Sequence, residues 1–112
     1  MGGQMPLLDQ PTLDKLTADV GEESAAFLIG SLKQEIERTG SALAEHALKG
    51  ELEQVEIQAH ALKSAARSFG AMRLGETCLA IEEAARAARA PEMEGLISRF
   101  RLISAETIAA FG

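Results

Sequence analysis

Tryptophan and tyrosine are absent, and four phenylalanines are the only aromatics among 112 residues. The apolar 46% is instead mostly Ala, Leu and Ile, the filling of helical bundles. Runs of Val, Ile and Thr that would read as strands are missing as well. Cysteine occurs once, as Cys78, which excludes an intrachain disulfide and fits a reducing compartment. No signal peptide is visible, and no apolar run approaches the roughly 20 residues of a membrane span. The expected location is therefore the cytoplasm, with no membrane partner. Positive charge is scarce too: 11 bases against 17 acids leave a net charge of −6, which argues against nucleic acid as the main partner. A Gly-rich phosphate loop of the Walker type is also missing.

What is present is helical periodicity. Residues 1–11 carry Gly and Pro and read as a loose leader, with residues 1–4 compatible with an addition before a natural start at Met5. Proline where a myristoylation motif wants Ser or Thr removes that reading. Residues 12–112 read as one domain, large enough for a single modest core. Thr12 is placed to cap a short helix through Val20, ended by Gly21. Leu28, Leu32, Ile36, Leu43 and Ala47 mark a long helix to about Lys49, with Glu22 and Glu23 at its positive end. Gly30 and Gly40 lie inside it, each costing about 1 kcal/mol against Ala, so Gly40 is a candidate break. A third helix runs from about Glu51 to Phe69. Leu74, Cys78, Ile81, Ala85 and Ala88 mark a fourth. Pro91 suits the first position of a fifth, whose core face is Met93, Leu96, Ile97, Phe100, Ile103 and Ile108. Short turns between four substantial helices predict an antiparallel up-down four-helix bundle with a short additional N-terminal helix.

The third helix carries the chemistry. At 100° per residue, Val55, Ala59, Leu62, Ala66 and Phe69 form its apolar stripe. His60 stands roughly 140° from the middle of that stripe, on the wet side with Lys63 and Arg67 one and two turns on. Between His60 and Gly75 there are three cations, Lys63, Arg67 and Arg73, and no acid. That asymmetry predicts a local basic patch for an acidic partner. Gly70 is placed to close the helix in a left-handed conformation. Histidine is a nucleophile near neutral pH and an able phosphoryl carrier. Lys63 and Arg67 are the candidate charge stabilisers, and Ser64 at i+4 is small enough to admit a partner's active site. Spacing alone leaves His60 more often a plain solvent-exposed residue.

Other residues read more plainly. His46, in another helix and without a cationic escort, is a surface residue. Cys78 falls in an apolar stripe and belongs to the core. Glu53, Glu56 and His60 lack the paired Glu-x-x-His signature of a di-iron bundle. Ser24, Ser31 and Ser41 have no activating neighbour in a nucleophile motif.

The run His60-Ala61-Leu62-Lys63-Ser64, followed by Ser68-Phe69-Gly70-Ala71 and then Leu74, Cys78, Ile81 and Glu82, resembles the histidine-containing phosphotransfer (HPt) domain of bacterial phosphorelays. The family's pattern is His-x-Leu-Lys-Gly, a Gly ten residues after the His, then Leu, Cys and an apolar-Glu pair. Only Ser64, where Gly is common, departs from it. The match is similar in detail to stand-alone HPt proteins of the quorum-sensing type. The resemblance implies that His60 accepts a phosphoryl group from an aspartate in the receiver domain of a hybrid sensor kinase and passes it to a response-regulator receiver. It implies a phosphotransferase carrier without autokinase activity, with no cofactor of its own and Mg²⁺ held by the receiver. A monomer is expected, because a fourth long helix completes the bundle, unlike the dimerising domain of a sensor kinase. Glu56, Ile57, Ala61, Ser68 and Gly70 are the docking candidates beside the site. The alternative is a helical adaptor that docks through the same surface without phosphorylation.

Overall fold

The structure is a computed structural model and describes residues 5–112; residues 1–4, and with them the reading of an addition before Met5, lie outside the described residues. Five α-helices and no strand occur among the described residues. They are α1 (Gln10–Val20), α2 (Glu22–Leu48), α3 (Leu52–Ser68), α4 (Met72–Arg86) and α5 (Met93–Phe111). Helices α2 to α5 form an antiparallel four-helix bundle. Each packs on its neighbour in sequence, and α5 closes the ring by returning to α2. The short α1 lies against α2.

The apolar stripes meet in one core. Leu32, Ile36 and Leu43 from α2 join Val55, Ala59, Leu62 and Ala66 from α3. Leu74, Cys78, Ile81 and Ala85 from α4, with Met93, Ile97 and Phe100 from α5, complete it. Phe69 is only partly buried at the edge. Burial pushes the Cys78 thiol up to about 12, so it is an inert core side chain. None of the helices is long and apolar enough to cross a membrane.

Three turns of the bundle share one device. After α2, α3 and α4 the chain takes a left-handed residue, Gly50 (φ 73°), Gly70 (φ 77°) and Ala88 (φ 57°). At each, two backbone N–H groups return to carbonyls of the last helical turn. At the middle turn the bonds are Gly70 N–H to Arg67 O at 3.1 Å and Ala71 N–H to Ala66 O at 2.8 Å. This is the Schellman closure, which satisfies carbonyls a helix end would otherwise leave unpaired.

Several boundaries differ from the sequence reading. The first helix starts at Gln10, because Asp9 and not Thr12 is its cap: the Asp9 carboxylate accepts the Thr12 N–H at 3.2 Å. The leader is therefore ordered from before Pro11, and Asp9 N–H also donates to Gly70 O at 2.7 Å. No break occurs at Gly40. The helix runs straight through, and the missing Cβ lets α5 approach, since a Cβ there would stand 3.2 Å from Phe100. The fourth helix stops at Arg86, so Ala88 is an exposed turn residue rather than part of the core stripe. Pro91 sits in a 3₁₀ turn, Ala90–Glu92, and α5 begins after it at Met93.

Candidate functional site

Helices α3 and α4 approach closely because their facing positions are small. Ala59 and Ala66 on α3 and Gly75, Cys78 and Ala85 on α4 are all buried. A Cβ on Gly75 would stand 3.1 Å from the Arg67 stem. That proximity brings a side chain of α4 under the histidine of α3.

The side chain is Glu82, only 3% exposed. Its Oε2 lies 2.8 Å from His60 Nδ1, and its Oε1 accepts from Lys63 Nζ at 2.6 Å. Oε2 also accepts from Arg86 Nη2 at 2.9 Å, while Arg86 Nε donates to Glu56 Oε2 at 2.9 Å. Burial alone would push the Glu82 carboxyl up. The hydrogen bonds and charges of Lys63 and His60 outweigh it and hold the group below its ordinary value. Glu82 is therefore an ionised, buried carboxylate satisfied by three side chains.

An ionised carboxylate can only accept, so it selects the ring tautomer with the proton on Nδ1. Nε2 then keeps its lone pair. The His60 side chain is 61% exposed, so the ring reaches solvent while one nitrogen is anchored beneath it. Phosphoryl acceptance requires this combination of a fixed, unprotonated and accessible nitrogen.

His60 and Lys63 meet on Glu82. Lys63 is not the exposed, wet-side cation that its spacing predicts: its side chain is 13% exposed and committed to the buried acid. Arg67 stays outside this cluster, exposed, with its stem over Gly75 and its guanidinium 3.7 Å from Glu76. Arg73 donates to the Met5 carbonyl at 2.6 Å. The basic patch is thus met by acids and a carbonyl from elsewhere in the fold, and it does not stand as a free positive surface.

Ile57, Ala61, Ser64 and Ser68 are all exposed on the flank beside His60, and no helix covers them. Glu56 is half-buried and holds Arg86. Gly70 is the correction among the docking candidates. It is buried, and a Cβ there would lie 2.9 Å from the Asp9 carbonyl, so its place is structural and closed to a partner. His46 pairs with Glu51 at 2.7 Å across the α2–α3 turn. No group of three or more His, Cys, Asp or Glu side chains able to hold a metal stands among the described residues.

Glu82 entered the sequence reading only as a position in the family pattern, and Arg86 not at all. Both follow His60 by more than twenty residues and lie on another helix. The available signal was the pairing of Glu82 with Arg86 at i+4, one turn on, on the side of α4 that faces α3.

Comparison with known proteins gives three matches. The family model described as Hpt domain matches residues 25–110. The phosphorelay protein LuxU of Vibrio harveyi is 33% identical over 81 residues, spanning 72% of this chain and 71% of LuxU. The crystal structure of histidine-containing phosphotransfer protein B (HptB) from Pseudomonas aeruginosa PAO1 aligns with a TM-score of 0.91. It covers 96% of this chain and 93% of that one at 23% identity, a likeness of fold.

Proposed function

The chain belongs to the Hpt domain family and serves histidine phosphotransfer in a phosphorelay, and from that premise we propose that Nε2 of His60 is the atom that carries the phosphoryl group. The observation that carries this reading is the bond between His60 Nδ1 and the buried carboxylate of Glu82.

The step follows from the geometry. The Nε2 lone pair attacks phosphorus of an aspartyl phosphate on a receiver domain, in line with the departing oxygen. A P–N bond forms as the bond to that oxygen breaks, and the electron pair leaves with the receiver's carboxylate. The ring becomes cationic, its proton still on Nδ1 facing Glu82. A carboxylate already ionised and fixed at that point needs no reorganisation to stabilise the charge. Lys63 holds Glu82 from the other side and acts through it as a positioning residue. Passage to a second receiver is the reverse step with another aspartate.

Receiver domains are the partners of this family; on our reading the donor belongs to a hybrid sensor kinase and the acceptor to a response regulator. The open flank of Ile57, Ala61, Ser64 and Ser68 suits this. It offers apolar and small contacts without charge specificity, so one surface serves two receivers. The Mg²⁺ used in transfer is assigned to the receiver. A bundle closed within one chain by the α5–α2 contact favours a monomer. A reduced cysteine favours the cytoplasm. A docking module without phosphorylation would have no use for a histidine nitrogen held on a buried acid.

The test is labelling by a phosphorylated receiver. ATP alone is expected to leave the chain unlabelled, whereas the receiver transfers an acid-labile, alkali-stable label that His60→Gln abolishes with the fold intact. Label that survives this substitution would move the site away from His60.

A further inference from the structure

We propose that Arg86 is a phosphoryl-binding residue, which exchanges Glu56 for the phosphoryl group on His60 while keeping its hold on Glu82. This rests on His60 as the acceptor. Arg86 Nη2 and His60 Nδ1 bond the same oxygen, Glu82 Oε2, at 2.9 and 2.8 Å. The two groups cannot be farther apart than those contacts laid end to end. Both line one shallow cavity of about 440 Å³, together with Glu56, Ile57, Ala61 and Glu82.

Of the two cations on Glu82, only Arg86 is free to turn. Lys63 is 13% exposed and bound to a buried oxygen, whereas the Arg86 side chain is 60% exposed. A guanidinium has five N–H donors in a fixed fork, and the two contacts described leave donors over for phosphoryl oxygens. Before phosphorylation the cluster balances two carboxylates, Glu56 and Glu82, against two cations, Lys63 and Arg86. The incoming group adds negative charge. Glu82, at 3% exposure, cannot lose partners cheaply. Glu56 lies on the rim at 32% exposure, and its released carboxylate rehydrates at once. The exchange therefore takes the Glu56 contact and leaves the Glu82 contact. Afterwards the rim presents a free carboxylate where the unphosphorylated protein presents a closed ion pair, so a receiver meets a different edge in the two states.

The test charges the ¹⁵N-labelled protein with phosphoramidate. The Arg86 Nε–H resonance is expected to shift on phosphorylation. The exchange equilibrium with ammonium, followed by ³¹P NMR, should shift against the phosphorylated form by about threefold in Arg86→Ala, with partial recovery in Arg86→Lys. Glu56→Gln should shift it the other way, because it releases the arginine and removes a nearby anion. If the Arg86–Glu56 bridge only braces α3 on α4, both substitutions break it and shift the equilibrium in the same direction. That result, or equal constants in all variants, or an unmoved Arg86 signal on a phosphorylated protein, would overturn the proposal alone. A wild-type protein that phosphoramidate leaves unlabelled at His60 would overturn the acceptor reading with it.

Discussion

His60 is distinguished by what lies beneath it. An exposed imidazole on an amphipathic helix is ordinary, and its wet-side position was readable from the spacing of Val55, Ala59, Leu62 and Ala66. The carboxylate that fixes its tautomer was not readable as a contact, because it arrives from another helix. The same blindness affected the cations. Lys63 and Arg67 stand in an acid-free stretch of sequence, yet Glu82 and Glu76 of α4 reach them in space. Charge counted along one helix says little about the field at its surface when the neighbouring helix supplies the counterions. Ser64 is the residue where sequence and structure agree in a testable way. It is exposed, and so are Ile57, Ala61 and Ser68 beside it. Ser64→Leu is therefore expected to leave the melting temperature nearly unchanged while blocking transfer in both directions, and Ser64→Gly to be close to neutral. Calorimetry paired with a phosphotransfer time course checks this. A folded Ser64→Leu protein with the normal rate would mean that receivers approach over another face.

Among the elements, helix existence and core faces were legible because a 3.6-residue stripe survives any tertiary context. Helix ends were not, because they depend on single contacts. Thr12 looked like the cap since its hydroxyl is a good acceptor, but Asp9 precedes Pro11, which favours the first turn, and Asp9 takes the role. Gly40 looked like a break because glycine is costly inside a helix; the cost is accepted where Phe100 packs against the bare backbone. The left-handed turns give the element-scale prediction. Gly70→Ala meets both an unfavourable φ of 77° and a contact 2.9 Å from the Asp9 carbonyl, and is expected to destabilise the fold by about 2 kcal/mol or more. Ala88→Gly relieves the same kind of strain at φ 57° without a known clash, and should stabilise by up to about 1 kcal/mol. Urea unfolding of the two variants checks both signs. Equal effects would deny that backbone conformation governs these turns.

For the whole molecule, stability is linked to the site through Glu82. Its carboxyl is held below the ordinary value of 4.5, so the native state binds the proton less readily than the unfolded chain. The stabilisation is fully present above about pH 4.5 and is lost as pH falls through the lower native value. Stability should therefore fall on acidification below that point. Glu82→Gln should cost roughly 2 kcal/mol at pH 7, since it leaves Lys63 beside an uncharged amide, and should flatten the acid limb. Denaturant midpoints followed from about pH 7 down into the acid range measure it. An unchanged acid limb in Glu82→Gln would place the pH dependence on the other carboxylates.

The site and the fold converge on one atom. Charging ¹⁵N-labelled protein with a phosphorylated receiver and recording the His60 ring by ¹H–¹⁵N and ³¹P NMR reads its state directly. Phosphorus bonded to Nε2, with the proton retained on Nδ1 opposite Glu82, is the expected result. Phosphorus on Nδ1, or on any side chain other than His60, would contradict it.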